Sequence, residues 1–466
     1  MSNINTDKAV VANFLKRAVE NAYPNDKAFS KVLGSGKRLT AYLGIDPTGP
    51  SLHLGHAIAM RKLRELQNMG HRIILLIGDF TAMIGDPTDK GAVRKKLTRE
   101  EVLLNCKNYR EQADKILDMD GSKTGNPVEL KYNNEWLGAM SFADVLELSS
   151  NFTVQQMLER DMFRRRMSWR STCPECGNEN YVSPETVSVS PDGSAGPMVI
   201  STIGALNWRC KNCESEYVTE GGDELHSPRP VYVHEFLYPL MQAYDSVAMD
   251  VDIEIGGNDQ TFNMLAGRDL LKSMKGKEKF VLTCKLLTDP TGKKMGKSEG
   301  NMITLADTPD DMFGKVMSWT DGMIEPGFEL CTDVDEKEIK SMVKKMESGE
   351  NPMEFKRLLA RTIVAAWHNE ESAVKAEEHF NNLFKNHAAP EDMPELKVKA
   401  AKKNIIELLV ESGLATSKTD ARRQISQGAV RIAGEVVTDE TTEMPITSEG
   451  IILQKGKRNF VKIIKP

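Results

Sequence analysis

At 466 residues the chain exceeds what one hydrophobic core supports, and a prior of about 150 residues per domain suggests roughly three domains. A formal net charge of −6 and a pI of about 5.9 exclude a protein that coats nucleic acid through bulk positive charge, so any RNA contact needs a local basic patch. No stretch reaches the ~18 apolar residues of a membrane span, the opening MSNINTDKAVVANFLKRAVENAYP has no apolar signal core, and Cys106, Cys284 and Cys331 read as isolated thiols, so the expectation is a soluble cytoplasmic protein.

From the N-terminus onward, short apolar runs alternate with amphipathic stretches. TAYLGI (40–45), RIILLIG (72–78) and VELKY (128–132) read as buried strands, with helical periodicity over about 55–69 and 98–118. The alternation resumes as MDVDIEIGG (249–257), a helix over about 260–274 and the strand-like FVLTCKLL (280–287). This pattern predicts a doubly wound, parallel-sheet, Rossmann-like α/β domain over 1–305. Residues 171–228 interrupt it, because two Cys-x-x-Cys pairs flank SPETVSVSPDGSAGP, which has no helical period and reads as an inserted module. Residues 306–385 carry a charged helical pattern, 386–403 read as a linker, and 404–466 read as a small α+β unit.

DPTGPSLHLGHAIAMRKLREL (46–66) leaves a strand and enters a helix. Pro47, Gly49 and Pro50 make the turn, and His53 and His56, three apart, share one face at the helix start. A helix N-terminus attracts anions through its unpaired N–H groups, and two imidazoles beside it aim further donors at the same point. Far downstream, KKMGKSEGN (293–301) places Lys294 and Lys297 on a Gly-rich segment able to close over a polyphosphate. Singly, these features have ordinary readings as capping histidines and a solvated lysine loop. In this order and together they resemble the HIGH and KMSKS signatures of class I aminoacyl-tRNA synthetases, with Gly296 where serine is more common.

Within that class, YLGIDPTGPSLHLGH (42–56), GDFTAMIGDP (78–87), YNNEWL (132–137), EFLYPLMQAYDS (235–246) and GGNDQ (256–260) resemble the tyrosyl-tRNA synthetases, in a bacterial form. The resemblance implies ATP with Mg2+, L-tyrosine and tRNA(Tyr) as reactants, and a homodimer. It implies that Tyr42 and Asp245 meet the phenolic hydroxyl, that Asp86, Tyr238 and Gln242 surround the α-ammonium, and that Gln260 lies near the carboxylate. Asp46, Thr48, Gly55, Gly257 and Asp259, with Lys297, would hold ATP. Asn134 is expected to support this network, with Asn133 as the alternative register. Tyr238, Gln242 and Asp245 stand at i, i+4 and i+7 and so share one helix face. Without the other motifs that face would read as ordinary polar decoration of a half-buried helix. Tryptophan activation on the same fold is the rival substrate, and a catalytically silent RNA-binding relative is the rival class; the Tyr42 and Asp245 combination opposes the first, and His53, His56, Lys294 and Lys297 oppose the second.

Cys173-Pro-Glu-Cys176 and Cys210-Lys-Asn-Cys213 can supply four thiolates in a tetrahedron, which suits structural Zn2+ in a zinc-ribbon-like module. The ordinary tyrosyl pattern passes almost directly from a segment like LERDMFRRRM (158–167) to one like HEFLYPL (234–240), so the module is an addition. Arg164, Arg165, Arg166 and Arg170 precede it, leaving open whether it contacts the tRNA acceptor end or is a structural appendage. At the C-terminus, NIIELLVESGLATSKTDARRQISQGAVRIAGEVVTD (404–439) combines two helices with a strand. From Lys397 onward thirteen Lys and Arg stand against eight Asp and Glu, so RNA binding is expected here through Lys418, Arg422, Arg423 and Arg431. The segment resembles the small RNA-binding module first recognised in a ribosomal protein.

Overall fold

The computed structural model describes residues 4–86, 97–167, 169–177, 179–182, 206–219, 225–226, 231–289, 302–385, 393–448, 450–456 and 459–465. Two compact units emerge, Met1–Asp307 with Thr320–Glu350 and Thr308–Trp319 with Asn351–Pro466.

The first unit is built on a six-stranded sheet: β1 (Val19–Tyr23), β2 (Thr40–Ile45), β3 (Arg72–Ile77), β4 (Val128–Tyr132), β5 (Ile253–Gly257) and β6 (Phe280–Cys284). In space the order is β1, β6, β5, β2, β3, β4, parallel throughout except for β1 against β6. Strands buried on both faces need no polar alternation, which is why Ile73, Ile74, Leu75, Leu76 and Ile77 run on without a break. The chain moves outward from β2 to β4 and then returns to the other side at β5, so the winding reverses between β2 and β5. Those two strands pair only at Ala41 with Ile253 and Tyr42 with Glu254, and beyond that pair a crevice opens at their C-terminal ends. Three helices border it: α1 (Leu54–Asn68), α2 (Val233–Met249) and α3 (Thr261–Lys275), the last two packed along each other.

Two local readings are refined. The helical pattern over 98–118 is two helices, Arg99–Cys106 and Tyr109–Asp114. The stretch 306–385, expected as one helical body, is shared between the units. Its middle joins the first unit because the Arg17 guanidinium donates to the carbonyls of Phe328, Glu329, Thr332 and Val334, capping the C-terminus of the helix Ile324–Cys331. Lys285 also pairs with Glu329 at 2.7 Å. Arg17 lies more than three hundred residues upstream, so periodicity could not reveal it.

In the second unit, Pro309–Met317, Pro352–Trp367 and Glu370–Lys385 pack around Phe313, Leu359, Ile363 and Ala373. Thr308 and Asn351 cap the first two helices, each with proline at the first turn. The C-terminal part places helices Ile405–Glu411 and Lys418–Ser426 over a sheet that includes Val430–Ile432, Ile451–Lys455 and Asn459–Ile464, around a core of Leu408, Leu409, Ile425 and Leu453.

In the insert, Trp169–Thr172 pairs with Glu179–Val182 and Leu206–Arg209 with Glu216–Thr219, both antiparallel. Each Cys-x-x-Cys pair therefore lies in the turn of its own hairpin.

Candidate active site

The crevice encloses a cavity of about 600 Å³. Its walls include Tyr42, Asp46, Thr48, His53, Gly55 and His56 from β2 and the start of α1. Asp86, Tyr238, Gln242 and Asp245 face it from the opposite side, and Gly257, Asp259 and Gln260 close the end of β5. Lys294 and Lys297 lie outside the described residues. The backbone just after them is nonetheless anchored at the histidines, because Leu54 N–H donates to Ile303 O at 3.1 Å and Leu305 N–H to Leu52 O at 2.8 Å.

His53 occupies the N-cap of α1, His56 Nδ1 accepts from the His53 N–H at 3.3 Å, and the two rings stack at 3.8 Å. The imidazoles are thereby fixed at the first turn of the helix. The preceding turn is held from below: Tyr109 donates to Gly49 O at 2.6 Å, and the Gln112 side chain accepts from Leu52 N–H and donates to Pro50 O. Sequence reasoning misses both residues, because Tyr109 and Gln112 look like ordinary members of an amphipathic stretch.

A buried polar network spans the floor. Asp245 accepts from Trp136 Nε1 at 2.7 Å and from Asn133 Nδ2 at 3.3 Å. The Asn133 amide also reaches Thr81 Oγ1 at 3.0 Å, Thr81 donates to Asp46 Oδ1 at 2.7 Å, and the Tyr238 hydroxyl donates to Asp46 Oδ2 at 2.8 Å. This corrects the expected register: Asn133, not Asn134, joins the network. Asn133 directly follows β4, with its N–H on Ile77 O, so its side chain faces the crevice, whereas Asn134 begins a short helix and donates its N–H to Asp79. Gly78 is required next to it, since a Cβ there would collide with the Asp46 carboxylate.

Burial drives the Asp245 carboxyl well above the ordinary carboxylate value, more than Trp136 and Asn133 lower it. The hydroxyls of Tyr42 and Tyr238 are likewise raised, first by burial and then by Glu254 and Asp245 for Tyr42 and by Asp46 and Asp86 for Tyr238. Both phenols therefore stay protonated as donors. Asp86 accepts from Arg160 at 3.0 Å and from Gln260 at 2.6 Å. Gln260 and Gln242 are bridged by the Asn263 amide. A second charged group also escapes the sequence reading: Lys279 pairs with Glu254 in the interior, behind Tyr42. The signal that could have found it is a glutamate inside an otherwise apolar strand, IEIGG.

The four insert sulfurs lie within 4.8 Å of one another, Cys173 3.5 Å from Cys213 and Cys176 3.7 Å from Cys210. Disulfides need about 2.05 Å between sulfurs, whereas thiolates on a shared tetrahedral Zn2+ stand about 3.8 Å apart. The Cys210 thiol is pulled down to about 6, first by the Cys213 backbone N–H and also by those of Asn212 and the Asn180 amide, which favours the thiolate that coordination needs. Among the preceding arginines, Arg166 is committed to Glu235 at the start of α2.

In the C-terminal part, Lys418 pairs with Glu407 at 3.7 Å, Arg422 with Glu440 at 3.3 Å and Arg423 with Asp420 at 2.6 Å. Arg431 donates to Gly434 O at 3.0 Å. All four expected RNA contacts thus belong to one module, three of them ion-paired with their own side chains more than half exposed.

An anion-attracting helix start at the reversal of a parallel sheet, facing a pocket of buried carboxylates, defines a class. The family model for class I tRNA synthetases (W and Y) matches residues 35–173 and 209–385, passing over most of the cysteine module. A model of the SYY-like C-terminal domain of tyrosine–tRNA ligases matches 385–463. The tyrosine–tRNA ligase of Moorella thermoacetica is 38% identical over 454 residues, covering 96% of this chain and 94% of its own. That of Thermotoga maritima is 40% identical over 451 residues, with 96% of both chains covered. A truncated mitochondrial tyrosyl-tRNA synthetase from Coccidioides posadasii superposes with a TM-score of 0.55 at 21% identity, covering 79% of this chain and 91% of that one, and supports the fold. The chain belongs to the tyrosine–tRNA ligase family of class I synthetases.

Proposed function

We propose that the crevice activates L-tyrosine with ATP and passes the tyrosyl group to the terminal ribose of tRNA(Tyr). The observation that carries this reading is one cavity joining the His53 and His56 pair to the buried Asp245, Tyr42 and Tyr238. The amino acid's carboxylate attacks the α-phosphate and pyrophosphate leaves, so no protein nucleophile is needed; the protein supplies position and charge stabilisation. His53 and His56, with Lys294 and Lys297, stabilise the phosphate charge that develops. Asp46, Thr48, Gly55, Gly257 and Asp259 hold the nucleotide, and Mg2+ enters with it as part of the substrate.

Tyr42 and Asp245 take the phenolic hydroxyl. Asp86, Tyr238 and Gln242 take the ammonium, and Gln260 lies toward the carboxylate. Phenylalanine is rejected because it leaves the buried donor and acceptor unpaired; tyrosyl-tRNA synthetases as a class are known to reject it by about 10⁵ without editing, and that magnitude belongs to the class. Amino-acid-dependent ATP–pyrophosphate exchange across all twenty amino acids tests the reading: exchange with tyrosine alone is expected, and equal exchange with phenylalanine or preference for tryptophan overturns it.

The C-terminal module binds tRNA through Lys418, Arg422, Arg423 and Arg431. The four cysteines hold one structural zinc, which would fix the two hairpins against each other; Cys176→Ser should then lose metal and local protease resistance while tyrosyl-adenylate still forms, and protein that retains both would refute the site. The chain acts as a cytoplasmic homodimer. Phe142, Val154 and Val233, on three helices of the first unit, are 78%, 67% and 80% exposed, apolar side chains of the kind a second copy would cover. Among the described residues no helix is long and apolar enough to cross a membrane.

A further inference from the structure

We propose that Lys279, acting through Ser246, sets the direction in which the Tyr42 hydroxyl donates its proton, and that this pair of positioning residues tunes discrimination for the phenolic substrate. The inference rests on the assignment of Tyr42 and Asp245 to the substrate hydroxyl.

The parallel register sets Tyr42 on β2 opposite Glu254 on β5, so both side chains leave the same face of the sheet. Ser246, one residue past Asp245 on α2, comes down onto them and is fully buried. Its Oγ lies 2.9 Å from Tyr42 Oη, 3.5 Å from Glu254 Oε2 and 2.8 Å from Lys279 Nζ. Lys279 is itself fully buried and ion-paired with Glu254. Room for this arrangement is made by Gly267 on α3, where a Cβ would stand 2.6 Å from Lys279 Nζ and 3.0 Å from Ser246 Oγ.

An ammonium group only donates, so Ser246 Oγ must accept from Lys279. The single Ser246 proton then has two destinations. Tyr42 Oη at 2.9 Å is within the ordinary O–H···O range, whereas Glu254 at 3.5 Å is outside it and already receives Lys279. Ser246 therefore donates to Tyr42, which turns the Tyr42 proton away from Ser246; with the nearby Glu254 carboxylate engaged by Lys279, the proton is directed into the cavity when substrate is bound. There it donates to the substrate's phenolic oxygen, leaving the substrate's proton for the Asp245 carboxylate. Each partner then has one role toward the substrate, and a substrate without the hydroxyl leaves the Tyr42 proton without its acceptor and Asp245 without its third donor. Were the relay reversed, Tyr42 would spend its proton on Ser246 and the phenolic oxygen would lose its donor.

A double-mutant cycle separates this from a structural role of the buried ion pair. Pyrophosphate exchange with tyrosine and with phenylalanine is measured on the full-length protein, its Tyr42→Phe and Ser246→Ala variants, and their combination. Ser246→Ala should lower the tyrosine-to-phenylalanine ratio of kcat/KM by about tenfold, as expected for one lost buried hydrogen bond. In the Tyr42→Phe background the same change should lower the ratio no further. Additive losses, or a Ser246→Ala ratio equal to that of the parent while Tyr42→Phe lowers it, overturn the relay but leave the Tyr42 assignment standing. An unaltered ratio in Tyr42→Phe removes both. The paired variant Lys279→Met with Glu254→Gln, which leaves no single buried charge, provides a second test: it should lower the ratio similarly, and an unaltered ratio refutes the part given to Lys279.

Discussion

Asp245 in the crevice is 3% exposed and held by Trp136 and Asn133, whereas Arg422 and Glu440 in the C-terminal module pair with 54% and 47% of their side chains in solvent. Both regions use charge, but the medium differs. In the crevice most polar groups are buried and hold a fixed partner, and a mismatch leaves a desolvated polar atom, which is what specificity requires. In the module water screens pairs such as Arg422 with Glu440 and Lys418 with Glu407, so partners can be exchanged for phosphates at little cost, which suits contacts to an RNA backbone.

The largest expected effect breaks the buried side. Asp245→Asn should lower tyrosine-dependent exchange by about a thousandfold in kcat/KM, since it replaces a carboxyl oxygen that accepts the substrate proton with an NH2 group. A loss smaller than about tenfold would mean the carboxylate does not meet the phenol. On the exposed side, combined Lys418→Ala, Arg422→Ala and Arg423→Ala should raise the KM for tRNA about tenfold at low salt and flatten its salt dependence by about two to three units of log slope. An unaltered slope would remove these residues from the RNA contact.

The contrast also has a pH signature. Because burial raises the Asp245 carboxyl well above its ordinary 3.8, the folded chain holds that proton more tightly than the unfolded chain does. Above the unfolded value the desolvated carboxylate counts against folding, increasingly so up to the folded value. The melting temperature of Asp245→Asn relative to the parent should therefore rise as the pH increases above about 4; a difference that does not grow with pH would contradict the raised value. The smallest effect belongs to the surface: Glu440→Ala should alter unfolding free energy by less than about 0.5 kcal/mol in urea titration. A loss several times larger would show that the pair holds the module together.

Much of this architecture is legible in local pattern. Strands buried on both faces announce themselves as unbroken apolar runs, so β2, β3 and β4 fall on TAYLGI, RIILLIG and VELKY, and the His53–His56 spacing at a helix start is a local feature. The cysteine pairs are equally visible, because each knuckle is a single hairpin turn. Partner choice is not legible. Whether Asn133 or Asn134 faces Asp245 depends on where β4 ends, and neighbouring residues in sequence carry no sign of that.

By itself, then, the sequence determined where most strands and helices fall, the motif residues and the two Cys-x-x-Cys pairs of the insert, since each of these is set within a few residues. Only the tertiary structure decided that Lys279 neutralises Glu254, that Arg160 and Gln260 hold Asp86, and that Arg17 caps a helix beyond residue 323. Each of those contacts joins segments separated by tens to hundreds of residues. Each is selected by the cost of leaving a buried charge or carbonyl unpaired, a quantity that exists only once the packed interior does.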